Sequence, residues 1–362
     1  MTWWRRALLS LAAPALAAVV AAVVSTAILL STGDDVSAFW NTLLEWPADR
    51  SLVNIANNAS VLYLSGIAAA IGFRMNLFNI GVEGQYRVGA FVAAAFAGEA
   101  WLPGKLNAVA AILLAMLAGA VWAGIAGLLR VTRGVSEVIS TIMLNLIAGS
   151  LVAYFLARAG VQTGVSTSTR NIAPGSWIGG IPLFSGAPDL FGLALLAVVV
   201  GVGFSVLLNR TRFGFNLRAT GASATAAVAS GVDVRRMIVI SMLMSGAVAG
   251  LIGMPTLFGA SHNYGTSFQT GIGFAGIAVA LLGRNHPVGI ALGALIFAFL
   301  SEQGNLLNIL AGVSPDIVAV TQGVIVLAVV IAYEVVRRYR TALEQAAVAK
   351  QVQAAKPEEA PA

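Results

Sequence analysis

Apolar and polar positions alternate along this chain on a coarse scale: long apolar runs separated by short polar stretches. The runs fall at residues 8–31, 55–73, 86–101, 106–129, 136–157, 189–208, 237–258, 271–283, 287–303 and 316–336. A membrane-crossing helix needs about 20 mainly apolar residues. Hydrocarbon admits only helices and closed barrels, because an unpaired backbone group is too costly there. The runs are rich in Ala, Val, Leu and Gly and lack the strict alternation of barrel strands. The pattern therefore predicts an all-α, polytopic membrane protein with about ten transmembrane helices.

Two windows look interrupted or re-entrant. Residues 74–87 carry several polar groups at membrane depth, and 271–283 is followed at once by Arg284, Asn285, His286 and Pro287. Interrupted segments in matching positions of two halves point to a transporter's substrate site. Phe78-Asn79-Ile80-Gly81 ahead of Val88-Gly89-Ala90 parallels Phe274-Ala275-Gly276-Ile277 ahead of Val288-Gly289-Ile290, so an internal inverted repeat is a further expectation.

Composition agrees with a lipid environment: 58% of residues are hydrophobic and 10% charged, against roughly 25% charged in soluble domains. One transmembrane domain is expected over residues 1–340, with a disordered cytoplasmic tail at 341–362, where Ala, Gln, Lys, Glu and Pro leave little to bury. The first run follows Arg5 and Arg6 as a signal peptide would, but it is too long and lacks a small-residue cleavage site, so it reads as a retained helix. The net charge of +6 sits on single or paired residues rather than on a stripe, which argues against nucleic acid.

Those basic residues serve better as topology signals. Arg5, Arg6, Arg74, Arg130, Arg133, Arg210, Arg212, Arg218, Arg235, Arg236, Arg284, Arg337, Arg338 and Arg340 all fall in alternate loops if the chain starts inside. Both termini are then cytoplasmic, and 159–188, rich in Thr, Ser, Gly and Pro, becomes a periplasmic cap. Cysteine is absent, and His262 and His286 lie too far apart for a local zinc motif, so no metal site or disulfide is expected.

Charged side chains are expensive in hydrocarbon and usually face a bundle interior or a wet cavity. Glu83 and Glu137, with Asn76, Asn79, Gln85, Ser140, Thr141 and Asn145 nearby, could offer donors and acceptors to a ribose or a base. Glu137, Thr141 and Asn145 are spaced four apart and share one helical face. The same residues can also read as structural: amides satisfying the backbone freed at a broken helix, and Glu83 paired with Arg74 or Arg87. Phe268, Gln269 and Phe274 combine aromatic and amide groups, suited to stacking a base while bonding its edge, or simply to a loop rim.

The cytoplasmic segment 209–236 is long and basic, and within it 220–231 reads as a short small-residue helix with glycine stops. Such a helix can seat closely in another protein's groove; the alternative is a plain connection between two spans. Gly221 to Gly231, with Ala226 and Ala227 paired between them, resembles the coupling helix of ABC importer permeases, and Ser223 stands where an Asn is common.

More specific is Met75-Asn76-Leu77-Phe78-Asn79-Ile80-Gly81-Val82-Glu83-Gly84-Gln85, which resembles the signature of the larger of two permeases in bacterial nucleoside ABC importers, within the branched-chain amino acid and ribose-type permease superfamily. Gly134-Val135-Ser136-Glu137-Val138-Ile139-Ser140-Thr141-Ile142-Met143-Leu144-Asn145 and Gly273-Phe274-Ala275-Gly276-Ile277-Ala278-Val279-Ala280-Leu281-Leu282-Gly283 extend the likeness. Ala275 departs from it where the family often has Asp, and Ser136 where it often has Asn.

The resemblance implies nucleoside translocation by alternating access and a heterodimer with a second, shorter permease paralogue. It also implies ABC ATPase subunits docked on Gly221, Ser223, Ala226, Ala227 and Gly231, and a substrate-binding lipoprotein. ATP and Mg would be bound by the partner ATPase, since none of Lys105, Lys350 and Lys356 stands in a phosphate loop. No cofactor and no enzymatic activity are expected of this chain. Ribose-like sugars or another small polar solute are the alternative cargo, and a proton-coupled carrier using Glu83 or Glu137 is the alternative mechanism.

Overall fold

The computed structural model describes residues 3–163, 166–311 and 314–354. Each apolar window holds a helix: α1 (Trp3–Thr32), α3 (Asp49–Phe73), α4 (Val82–Glu99), α5 (Gly104–Arg133), α6 (Glu137–Ala159), α7 (Ala194–Arg210), α10 (Val234–Leu251), α12 (Ile272–Leu282), α13 (Pro287–Ala311) and α14 (Pro315–Ala354). Shorter helices are α2 (Val36–Leu44), α8 (Arg212–Ala222), α9 (Ala224–Ala229) and α11 (Met254–Thr256), and α11 prolongs α10 into a π-helical turn at Leu257–Ser261.

The expected ten full crossings are not reached by length and composition. Among the described residues six helices suffice, or seven if α7 and α8, bent by 74°, form one span. The physical reasons differ: α12 has 11 residues and α7 has 17, Ala18–Thr32 of α1 is short, and α4 carries Glu83, Arg87 and Glu99. An 11-residue helix spans only about 16 Å at 1.5 Å per residue, half of a bilayer core.

The chain divides into two compact units, Met1–Leu44 with Gly304–Ala362, and Glu45–Gln303. In the first, α1 packs along α14, Trp40 Nε1 donates to Thr26 Oγ1 at 3.0 Å, and Ala328 and Ala332 centre a small apolar cluster. Here α14 continues to Ala354, so 341–354 is helical where disorder is expected; Ala, Gln, Glu and Lys are good helix formers. Residues 355–362 of the expected tail lie outside the described residues.

In the second unit α3 is central, its apolar face buried against α7, α10 and α12. The crossing of α5 and α10 is built on small residues: a Cβ on Gly119 would lie 2.2 Å from Gly246 O, and one on Gly250 2.1 Å from Ala115 O. Lipid tails give no hydrophobic drive between helices, so close backbone packing supplies the cohesion. At one end, β1 (Val161–Thr163) pairs antiparallel with β2 (Ser166–Ser168). From there the 159–188 segment binds the turn before α12, with Thr169 N–H donating to Tyr264 O and Ile172 N–H to His262 O, each at 2.8 Å.

The predicted single helix over 220–231 is two. α8 ends at Ala222, and Ser223 caps α9 by accepting the Ala226 N–H at 3.2 Å. Ser223 is a good N-cap because its hydroxyl satisfies an orphan amide, and that same preference ends the preceding helix.

Candidate functional site

Both interrupted segments are present as breaks in the helical backbone, and they meet. Between α3 and α4, Asn79 is completely buried. Its Nδ2 donates to Gln85 Oε1 at 3.0 Å and to Ser245 Oγ at 2.7 Å, while Oδ1 accepts from Gly81 N–H and Gln85 Nε2, both at 3.0 Å. That uses the full capacity of an amide side chain. Ser245 Oγ in turn donates to Ala68 O at 2.6 Å, tying the break to α3 and α10 together.

Glu83, in the first turn of α4, is buried. Its Oε1 accepts from Gly271 N–H and its Oε2 from Gly273 N–H, both at 2.8 Å. The carboxylate therefore sits on the N-terminus of α12, where free amides and the helix dipole favour an anion. The backbones are close as well, since a Cβ on Gly273 would fall 2.3 Å from Glu83 N. The expected pairing of Glu83 with an arginine gives way to this arrangement: Arg74 Nε donates to Asn285 O at 2.9 Å, and no ion pair joins Glu83 to Arg74 or Arg87 among the described residues.

The Glu137 face of α6 clamps the same break. Phe78 N–H donates to Glu137 Oε1 at 3.4 Å, and the other carboxylate oxygen lies 3.4 Å from Arg130 Nε. Thr141 Oγ1 donates to Glu137 O at 2.7 Å. Asn145 Oδ1 accepts from Gly84 N–H at 2.8 Å, and its Nδ2 donates to Ile80 O at 2.9 Å.

Six sequence-selected residues, Asn79, Glu83, Gln85, Glu137, Thr141 and Asn145, thus converge on the two breaks. Asn76 is exposed with φ of 58°, and Phe274 is 50% exposed. Phe268 is buried, its ring 4.6 Å from Tyr264. Gln269 has an exposed side chain, while its carbonyl accepts the Tyr86 hydroxyl at 2.9 Å.

Residues 51–333 match the family described as the branched-chain amino acid transport system / permease component. The chain belongs to this permease family. It is 36% identical over 277 residues to the guanosine ABC transporter permease protein NupP of Bacillus subtilis, covering 75% of this chain and 78% of that one. It is 31% identical over 337 residues to the glucose ABC transporter permease protein TsgB13 of Haloferax volcanii, covering 89% and 87%. The nucleoside ABC transporter permease protein NupB of Lactococcus lactis is 31% identical over 290 residues, covering 76% and 78%. Each bacterium also holds a second relative, NupQ at 28% and NupC at 27% identity.

At the arginine-rich end of the permease, α8 touches the break. A Cβ on Gly221 would lie 2.3 Å from Arg74 O and 3.1 Å from Met75 Cα. Burial, and the like charge of Arg218 on α8, lower the Arg74 pKa below its ordinary value. Beyond Gly221, Ser223, Ala226 and Gly231 are exposed and Ala227 is buried, leaving most of α9 free.

Two residues of the permease's interior are missing from the sequence-based set. Ser245 gives no signal in an Ala/Gly/Met run. Arg87 does, as a charge in mid-helix at membrane depth, and it lines a cleft with Tyr264 and Phe268.

Proposed function

We propose that this permease is the larger membrane subunit of an ABC importer that carries nucleosides across the bacterial cytoplasmic membrane, with both termini cytoplasmic. Relatives named for guanosine and nucleoside transport, similar over about three quarters of the chain, support the cargo. The occurrence of two relatives in each of two bacteria supports a heterodimer with a shorter paralogue. Energy then comes from ATP and Mg on partner ATPase subunits, and substrate from a binding lipoprotein.

The observation that carries the mechanism is the contact of Gly221 with the Arg74 backbone. An ATPase gripping Ser223, Ala226 and the exposed face of α9 would push α8 directly onto the point where α3 breaks. From there the motion reaches Asn79, Gln85 and, through Glu83, α12. Asn79, Glu83, Gln85, Glu137, Thr141 and Asn145 then contact substrate by exchanging bonds they now make with the protein, which is what opening a gate requires. Asn76, Gln269 and Phe274 reach it without such exchange.

Glu83 and Glu137, the carboxylates that the proton-relay alternative would use, are already occupied by backbone amides or Arg130, which speaks against it. Sugar transport is favoured by two relatives whose names point to glucose, TsgB13 and TsgC13 of Haloferax volcanii. Titration of the partner binding protein with nucleosides, sugars and amino acids separates the cargoes: nucleosides alone are expected to bind, and binding of sugars alone would refute the assignment.

A further inference from the structure

At the capped end of the Glu45–Gln303 unit, a cleft of about 250 Å³ opens between α4, α6 and the turn before α12, with Arg87, Leu156, Tyr264, Thr266, Phe268 and Thr270 among its walls. Its volume is near the lower limit of ligand sites, which run roughly 300–1,000 Å³, so it suits one small solute. Arg87 is the charged group facing it. Its Nε is buried with no hydrogen-bond partner among the described residues, and no carboxylate forms an ion pair with it there. The guanidinium is bonded toward the Tyr264 hydroxyl and keeps at least the Nε donor unused, and a charged group at membrane depth with donor capacity to spare is a functional-site signal.

The surroundings narrow the ligand. Glu83 lies one turn earlier on the same face of α4 and balances the charge at longer range, so the cleft asks for acceptors rather than for an anion. Tyr264 and Phe268, with rings 4.6 Å apart, give the wall aromatic surface, and burial raises the Tyr264 hydroxyl above its ordinary pKa against the opposing hydrogen bond with Arg87, so it stays a neutral phenol. Thr266 and Thr270 add exposed hydroxyl-bearing side chains.

We propose that this cleft receives a 6-oxopurine nucleoside, with the Arg87 fork on the O6 and N7 acceptors of the base, aromatic surface against the ring, and the threonine hydroxyls toward the ribose. Arg pairs with this edge because two adjacent acceptors match two parallel N–H groups. Adenine presents an amino donor in place of O6, and pyrimidines lack N7. The inference rests on the nucleoside reading and adds to it a specificity-determining residue within the membrane.

The test uses the assembled transporter in proteoliposomes, with guanosine and 7-deazaguanosine each at concentrations that saturate the binding protein, so that the difference reports on the permease. Wild type should carry guanosine about tenfold faster, the lower range for loss of a bidentate contact. Arg87→Lys, which keeps the charge and loses the fork, should lower guanosine uptake about tenfold and leave 7-deazaguanosine nearly unchanged. A merely structural role for Arg87 would depress both alike and overturn the proposal. Equal wild-type rates would also overturn it, independently of whether the variant folds. Uptake of glucose with no nucleoside uptake would instead remove the nucleoside reading itself.

Discussion

Asn79 and Glu83 set the expectations at the scale of single residues. Replacing Asn79 by Ala strands Gly81 N–H, Gln85 and Ser245, and each buried unsatisfied group costs about 1–3 kcal/mol. The purified permease is expected to melt earlier in detergent than wild type; an unchanged midpoint would contradict the network's role. Glu83→Gln keeps the shape but removes the negative charge from the α12 N-terminus, a change worth up to about 2 kcal/mol in partly buried geometry, and uptake should fall while membrane insertion persists. His262 stacks on Trp177 with centroids 3.8 Å apart, and desolvation lowers its pKa. Its neutral form is favoured in the fold, so the cap keeps full stability above about pH 6.5, the unfolded value, and loses it as pH falls toward the folded one. The hydrogen-exchange protection of 166–188, taken relative to the intrinsic rate at each pH, should fall on acidification, and His262→Asn should flatten that dependence. The polar residues were legible in the sequence because amides and carboxylates at membrane depth are rare. Their partners were not: Glu83 meets Gly271 and Gly273 across 188 and 190 positions, and no local spacing reveals that.

Helices of this permease differ in length with what lies at their ends: the 11 residues of α12 and the 25 of the buried α3 stop at the two breaks. α12 presents its N-terminus to Glu83, the arrangement half-helices have in transporters that hold charge at a helix end. The ten windows were legible because apolar runs are the strongest signal a membrane chain carries. Six or seven of them are full crossings by length and composition among the described residues, since length and buried charge matter as much as hydropathy. The split at Ser223 was hidden in an alanine-rich stretch where the only cue is one hydroxyl. At this scale Gly221→Val should be severe: its Cβ alone would overlap Arg74 O, and overpacking costs about 1–3 kcal/mol. Uptake should drop at least tenfold with insertion intact. Ala226→Glu, on the exposed face of α9, should abolish uptake by blocking the ATPase rather than by disturbing the fold. The two variants separate in a pull-down with the partner ATPase: Gly221→Val retains it and Ala226→Glu loses it. Retention by both would sink the assignment of α9 as the docking element.

At the scale of the whole Glu45–Gln303 unit, exposed apolar side chains on α5, α6, α7 and α13, such as Leu117, Leu146, Val199 and Leu292, surround an interior that holds most of α3 together with Asn79, Glu83 and Gln85. Force is proposed to enter at α9, pass Gly221 to the α3 break, and cross to α12 through Glu83, so that coupling and gating share one chain of contacts. The most direct measurement is uptake of radiolabelled nucleoside into proteoliposomes that hold this permease with the proposed paralogue, ATPase and binding protein. Uptake should require hydrolysable ATP, be competed by unlabelled nucleosides and ignore glucose. Accumulation by the permease alone under a proton gradient without ATP, or competition by glucose and not by nucleosides, would contradict the account.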